Sequence, residues 1–371
     1  MEESTWYKLN HPEEIDSPAL LVFKDRVESN IQTMIQIAGD AGRLVPHVKT
    51  HKMAEIVKMQ LVAGIHQFKC ATIAEAEMLA DAGAKNILLA YQLTAPKAAR
   101  LIALIKKYPE IRFASLVDNF DSAYLLNKMF LKENRIANVF IDVDTGMHRT
   151  GIAPDETLYG LYLQLDQLPN ITCNGLHVYD GHIHEENFEL RKQQCESDFA
   201  SVNAIVEKII SSGFDAPMII AGGTPTFTVH ASHKEVYCSP GTCLLWDHGY
   251  DSILQEQPFE LAAVLLTRVI SKPAKGLITT DLGHKSVAAE NPISKRIFFL
   301  NIADYHVRSQ SEEHLVIEVK HWDSINVGDV LYGIPYHICP TVALYDEANV
   351  IVDGNSVEKW NIVARKKKIT F

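Results

Sequence analysis

The sequence has no CxxC pair, and its six cysteines (Cys70, Cys173, Cys195, Cys238, Cys243 and Cys339) are scattered along 371 residues. That scatter excludes a disulfide-framed scaffold and fits reduced thiols in a cytoplasmic protein. Basic residues are in deficit: 35 Lys and Arg stand against 46 Asp and Glu, a net charge of −11. A phosphate backbone needs a basic face, so nucleic acid is excluded as a partner. The one basic cluster, Lys366-Lys367-Lys368, reads as a solvated strand or tail. No run of about 18 apolar residues occurs, which excludes a membrane-spanning helix. The opening MEESTWYKLNHPEE is acidic and polar, unlike a secretory signal. Internal repeats and low-complexity linkers are also missing.

What remains is the composition of a globular protein, 47% hydrophobic and 22% charged. The length suggests two domains, with a core of good size. From about residue 43 the chain alternates. Apolar, β-branched runs near 44–49, 66–71, 87–91, 112–117, 138–143, 172–178, 217–221 and 235–238 read as buried strands. Stretches such as TIAEAEMLADAGA and TAPKAARLIALIKKYP between them carry apolar residues at helical spacing. Strand–helix alternation implies right-handed βαβ units and a parallel sheet. Eight strands predict an α/β fold, a TIM-type (β/α)8 barrel over residues 15–250. The helix-like RVESNIQTMIQIAGDAG, before the first strand, fills the outer ring where no helix follows the eighth. A doubly wound open sheet is the alternative. After about residue 255 strand-like runs follow one another without helices, predicting an antiparallel β domain over 255–371, with residues 1–14 packed on it.

A barrel of this kind places its active site at the C-terminal ends of its strands. The first strand ends at RLVPHVKTHK with Lys49, flanked by His47 and His51. IDVDTGMHRTG supplies Asp142, Asp144, Thr145, His148 and Arg149; GLHVYDGHIH supplies His177, Tyr179, Asp180 and His182. AGGTPT and SPGT are short glycine turns after the seventh and eighth strands, the places where a barrel holds a phosphate. A lysine at one end and a phosphate cradle at the other suggest pyridoxal 5′-phosphate (PLP), whose aldehyde forms a Schiff base with an amine. In YHICPT, His337 and Cys339 lie two apart in a strand-like run and so share one face. Imidazole plus thiolate suits Zn²⁺ or a similar divalent ion such as Mn²⁺, and equally suits an ordinary buried pair.

These motifs, in this order, resemble the fold-type III PLP enzymes, the alanine racemase-like barrels, and within them the D-threonine aldolase and D-serine dehydratase group. PHVKTHK, ATIAEAEMLADAG, DVDTGMHRTG, HVYDGHIH, AGGTPT, SPGT, DLGHKS and PYHICPT carry the resemblance over roughly residues 15–355. It implies that Lys49 is the Schiff-base lysine, that Arg149 lies near the pyridine ring, and that Tyr179 lines the cofactor. It implies further that Gly222, Gly223, Thr224, Gly241 and Thr242 bind the phosphate and that His337 and Cys339 hold a metal, with Asp180, His182 and His184 as possible neighbours. The activity implied is a lyase reaction on a D-3-hydroxy amino acid in a cytoplasmic homodimer. Retro-aldol cleavage to glycine and an aldehyde is the first expectation. Dehydration of D-serine or D-3-hydroxyaspartate to ammonia and a 2-oxo acid is the second, with a racemase or a non-catalytic PLP-binding protein behind them. In the group His-x-Asp goes with aldolases and His-x-Cys with dehydratases, so Cys339 departs from the aldolase pattern.

Overall fold

In a computed structural model of the protein, residues 5–371 are described. They divide into two compact units. One holds the chain up to Gln32, residues 50–53 and residues 242–365; the other holds 33–49, 54–241 and 366–371.

The second of these is the barrel unit. Its seven parallel strands are β2 (Gln67–Cys70), β3 (Asn86–Gln92), β4 (Arg112–Val117), β5 (Ala137–Val143), β6 (Ile171–Val178), β7 (Met218–Ala221) and β8 (Val236–Cys238), paired in chain order. Residues 44–48 supply the eighth stave. Leu44 bridges Cys238 and His47 bridges Lys69, both in parallel. Val45 N–H donates to the Cys238 carbonyl at 2.9 Å and Val48 N–H to the Lys69 carbonyl at 2.9 Å. The expected first strand is therefore present as bridges only, because Pro46 has no N–H to give a regular ladder. Its carbonyl still accepts from Lys69 N at 2.9 Å. Val45, Leu88, Ala114, Leu116, Phe140 and Ile220 fill the interior, as side-chain layers fill such barrels.

Helices α2 (Ala54–Val62), α3 (Ile73–Ala82), α4 (Ala95–Lys107), α5 (Phe120–Lys132), α6 (Glu156–Asp166), α7 (Phe188–Ser211) and α8 (Phe227–Ala231) connect the strands. The α3 start shows why the chain turns where it does. Thr72 Oγ1 accepts from Glu75 N at 3.1 Å, and Glu75 returns a carboxylate oxygen to Ala71 N at 2.6 Å. This is close to the capping box of a T-x-x-E sequence, with Glu75 reaching Ala71, one residue before the N-cap Thr72.

The other unit is a nine-stranded mixed sheet. It combines β1 (Ala19–Phe23) with β9 (Ala263–Ala274), β10 (Leu277–Thr280), β11 (Ile297–Phe299), β12 (Tyr305–Gln310), β13 (Leu315–Val319), β14 (Val330–Pro335), β15 (Glu347–Val352) and β16 (Asn355–Asn361). All pairs are antiparallel except β1 with β15. Within the span 15–250 expected for the barrel, the first strand pairs elsewhere. Ala19–Phe23 pairs with β9 and β15, so the chain begins in this sheet and α1 (Lys24–Ala38) leads out of it into the barrel unit. Of residues 1–14, the first four lie outside the described residues. Tyr7 and Leu9 join Leu21, Phe23, Val264, Tyr332 and Ile351 in this unit's core.

Candidate active site

Lys49 follows Val48 at the C-terminal end of the bridging stave, its side chain exposed and its N–H donating to His47 Nδ1 at 3.2 Å. The SPGT turn lies against the same segment. A Cβ placed on Gly241 would sit 2.7 Å from the His47 carbonyl oxygen, so only glycine lets the turn come this close. In the AGGT turn Gly222 has φ +75°, and a Cβ there would meet the His230 ring at 2.6 Å. A Cβ on Gly223 would meet the Tyr179 ring at 2.9 Å. The two turns are joined by a hydrogen bond from Gly241 N to Thr224 Oγ1 at 3.3 Å. The barrel unit thus brings the lysine-bearing segment, both glycine turns and Tyr179 together. Arg149 joins them, its guanidinium 5.0 Å from the centre of the Tyr179 ring. The acidic groups near it have other partners: His148 pairs with Asp144 at 2.9 Å and His177 with Asp142 at 2.7 Å.

Beneath the AGGT turn lies a buried support. Asp180 accepts from Thr226 Oγ1 at 2.8 Å and pairs with His230 Nε2 at 2.7 Å, while Cys195 Sγ lies 3.4 Å from that same nitrogen. Burial alone would raise the Asp180 pKa, but His230 and Thr226 more than offset it and hold the carboxyl below its ordinary value. One donor atom from each of Asp180, Cys195 and His230 lies within 4.8 Å of the others, a spacing compatible with an ion. These atoms already bond to one another and to Thr226, and Thr226 Oγ1 accepts from Gly223 N at 3.3 Å. The set therefore acts as the footing of the turn. His182 pairs with Asp198 at 3.1 Å.

A lysine that the sequence reading passed over occupies the barrel floor. Lys69, on β2, is 2% exposed. Its Nζ donates to Ser239 Oγ at 2.5 Å and lies 3.4 Å from His177 Nε2 and 5.5 Å from the centre of the Tyr179 ring. Burial, then the charge of Lys49, push its pKa down to about 7, against the pull of Asp180 and Asp142. A lysine in the four-residue strand QFKC gives no pattern that marks it as interior, since barrel strands are covered on both faces.

In the sheet unit, His337 and Cys339 meet, but not on a strand. The strand-like reading of YHICPT is corrected: Ile338–Val342 forms the helix α10, which follows α9 (His248–Ile253) in chain order, with His337 at its N-cap. Pro340 falls in the first turn, where a missing N–H costs nothing. A hydrogen bond joins His337 to Cys339. Burial lowers the His337 pKa, but Cys339, Asp247 and Glu290 outweigh it and lift it to about 9. His337 Nδ1 faces Glu290 Oε1 at 2.7 Å, which fixes the ring and leaves Nε2 for other partners. Cys339 Sγ lies 3.0 Å from Thr50 Oγ1 and 3.4 Å from Thr242 Oγ1. Thr242, expected to serve the phosphate, thus turns its hydroxyl toward Cys339 in this unit. Buried Asp247 accepts from Ile338 N at 3.0 Å and caps α10 in place of a His337 side-chain cap. Among the described residues no helix is long and apolar enough to cross a membrane.

The sequence profile of the alanine racemase N-terminal domain matches residues 22–248, and a serine dehydratase domain profile matches residues 262–351. The chain is 27% identical over 358 residues to a D-threonine aldolase of Arthrobacter sp., covering 95% of this chain and 93% of that protein. It is 23% identical to the D-threo-3-hydroxyaspartate dehydratase of Delftia sp. (strain HT23), covering 93% of this chain and 97% of that protein. The crystal structure of D-threonine aldolase from Filomicrobium marinum shares its fold, with a TM-score of 0.86 at 24% identity over 95% of this chain and 96% of that one.

Proposed function

The chain belongs to the alanine racemase N-terminal domain family, and from that premise we propose that it is a PLP- and divalent-metal-dependent lyase acting on D-3-hydroxy amino acids. The observation that carries this reading is the packing of the Gly241 turn against the backbone of His47, two residues before Lys49. It puts an amine and a bare-backbone cradle side by side at one end of one barrel. The residues fit the cofactor. Glycine at 222, 223 and 241 lets the turns pack directly on His230, Tyr179 and the His47 backbone, and the N–H groups of Gly223 and Gly241 make long 3.3 Å bonds to hydroxyls, which a phosphate could replace. Thr224 adds a hydroxyl, and Thr242 follows directly on Gly241.

In this reading Lys49 would hold the cofactor through its aldehyde and, once the substrate amine has displaced it, its freed amine would move a proton at the substrate Cα. Gly222, Gly223, Thr224, Gly241 and Thr242 hold the phosphate, with Asp180 and His230 fixing the first turn from below. Arg149 and Tyr179 line the ring. PLP, when bound, takes up the electron pair released at Cα. His337 and Cys339 hold the metal, and Glu290 fixes the tautomer of His337. A divalent ion held there would supply Lewis acidity toward the substrate hydroxyl.

Cleavage of Cα–Cβ releases glycine and an aldehyde. This D-threonine aldolase-like reaction is the first reading, in line with the 27% identity to the Arthrobacter enzyme. Loss of the hydroxyl, giving ammonia and a 2-oxo acid, is the second; Cys339 in the His-x-Cys pair is the observation that favours it. Product analysis separates them. The purified protein, given PLP and Mn²⁺ or Zn²⁺, is incubated with D-threonine, D-serine and D-threo-3-hydroxyaspartate separately. Glycine with acetaldehyde from D-threonine supports the aldolase; ammonia with pyruvate or oxaloacetate supports the dehydratase; no product from any overturns both. The chain is also read as a homodimer, which light scattering tests.

A further inference from the structure

The barrel floor carries a directed chain of hydrogen bonds across five staves. Asp142 on β5 accepts from Gln92 at 2.7 Å and from Thr150 at 2.8 Å, and faces His177 Nδ1 at 2.7 Å. A carboxylate can only accept, so Nδ1 carries the proton and Nε2 turns a lone pair toward Lys69. Lys69 Nζ, on β2, approaches that lone pair at 3.4 Å and donates to Ser239 Oγ at 2.5 Å. Ser239, after β8, passes its own hydrogen to the Gly222 carbonyl at 2.8 Å, just past β7. The chain ends at the backbone of the AGGT turn.

Two N–H groups of Lys69 are therefore engaged by Ser239 and His177. A neutral amine has no third; an ammonium does. The groups facing Nζ leave one direction for it. Ser239 and His177 are satisfied, and the Tyr179 ring centre lies 5.5 Å away. The charges that act on the amine are those of Lys49, Arg149, Asp142 and Asp180. Asp142 and Asp180 already bond to His177, Gln92, Thr150, Thr226 and His230.

We propose that Lys69 is a cofactor-site residue: through its ammonium form it offers its third N–H and its charge to bound PLP, while the other two tie the barrel floor to the phosphate turn. This rests on the reading of the barrel as a PLP site. Because the amine's pKa is lowered to about 7, the grip weakens as pH rises through neutrality.

The test is the equilibrium affinity of the apoprotein for PLP, read by tryptophan fluorescence at pH 6 and pH 8.5, for wild type, Lys69→Arg and Lys69→Met. At pH 6, Lys69→Met is expected to bind about tenfold more weakly than wild type, the scale of one charge-assisted hydrogen bond. At pH 8.5 that gap closes to about twofold or threefold, while Lys69→Arg stays tight at both values because its charge does not titrate. Equal affinities in all three proteins overturn the proposal. So does a Lys69→Met defect of the same size at both pH values, which would mark a packing role. If Lys69→Met does not fold, the ratio of wild type to Lys69→Arg decides: it must grow with pH, and a constant ratio overturns the proposal. Wild-type protein that takes up no PLP at either pH overturns the cofactor reading itself and this one with it.

Discussion

Asp180 and His230 meet at 2.7 Å in a fully buried pair directly under the Gly222–Gly223 turn. The pair is an anchor. Asp180 also holds the Thr226 hydroxyl, whose oxygen accepts from Gly223 N. Removing the carboxylate charge by Asp180→Asn leaves His230 buried beside a poorer partner. Breaking a buried pair from one side typically costs about 3 kcal/mol or more. The expected outcome is a large drop in apoprotein melting temperature and PLP affinity about tenfold weaker. Calorimetry with and without PLP checks both; an unchanged affinity would show that the turn does not rely on this pair.

Gly241→Ala tests the cradle without touching a polar group. The new Cβ would lie 2.7 Å from a backbone oxygen, that of His47, which cannot swing aside as a side-chain tip can. The turn must move away from the Lys49 segment. PLP affinity is expected to fall about tenfold or more, with apoprotein stability reduced by about 1–3 kcal/mol.

Lys69 should leave a mark on the pH dependence of stability. Its folded-state pKa, about 7, lies below the ordinary 10.5. Below pH 7 the amine is charged in both states and the folded protein bears the full cost of burying it. Between about 7 and 10.5 the unfolded chain keeps the proton and the folded protein does not, so stability rises with pH in that window. In the apoprotein, denaturant unfolding of wild type should gain about 1 kcal/mol per pH unit relative to Lys69→Met between pH 7.5 and 9.5. Parallel curves for the two proteins would contradict the buried titration.

The metal site proposed at His337 and Cys339 has its own signature. His337→Ala or Cys339→Ser should strip the metal, measured by elemental analysis, and abolish turnover while leaving PLP bound. Glu290→Gln keeps both ligands but weakens the hold on His337 Nδ1, so metal affinity should drop about 10- to 100-fold. Metal content independent of all three residues would move the site elsewhere.

Much of this was legible in the chain. The strands β2–β8 announced themselves as continuous apolar runs, because a parallel strand buried on both faces needs no alternation. The glycine turns were legible because a close backbone approach admits little else. Three features were hidden for physical reasons. Residues 15–43 read as part of the barrel with no strand at 19–23, and only the pairing of β1 with β9 and β15, hundreds of residues away, places that segment in the other sheet. YHICPT has β-branched content, yet Pro340 in the first turn of α10 is a helix-start signal that its strand-like composition masked. Lys69 was hidden because burial on both faces removes the phase that would have told an inward lysine from an outward one.

The barrel holds two amines near its glycine turns, exposed Lys49 and buried Lys69, whose charges act on each other. Which one carries the cofactor is the central question. Borohydride reduction of the PLP-loaded protein fixes the cofactor to its lysine, and peptide mapping by mass spectrometry then names the residue. The expected result is a pyridoxyl group on the peptide containing Lys49 and none on that containing Lys69, with Lys49→Ala trapping nothing. Label on Lys69, or on neither lysine, would contradict the assignment of this site.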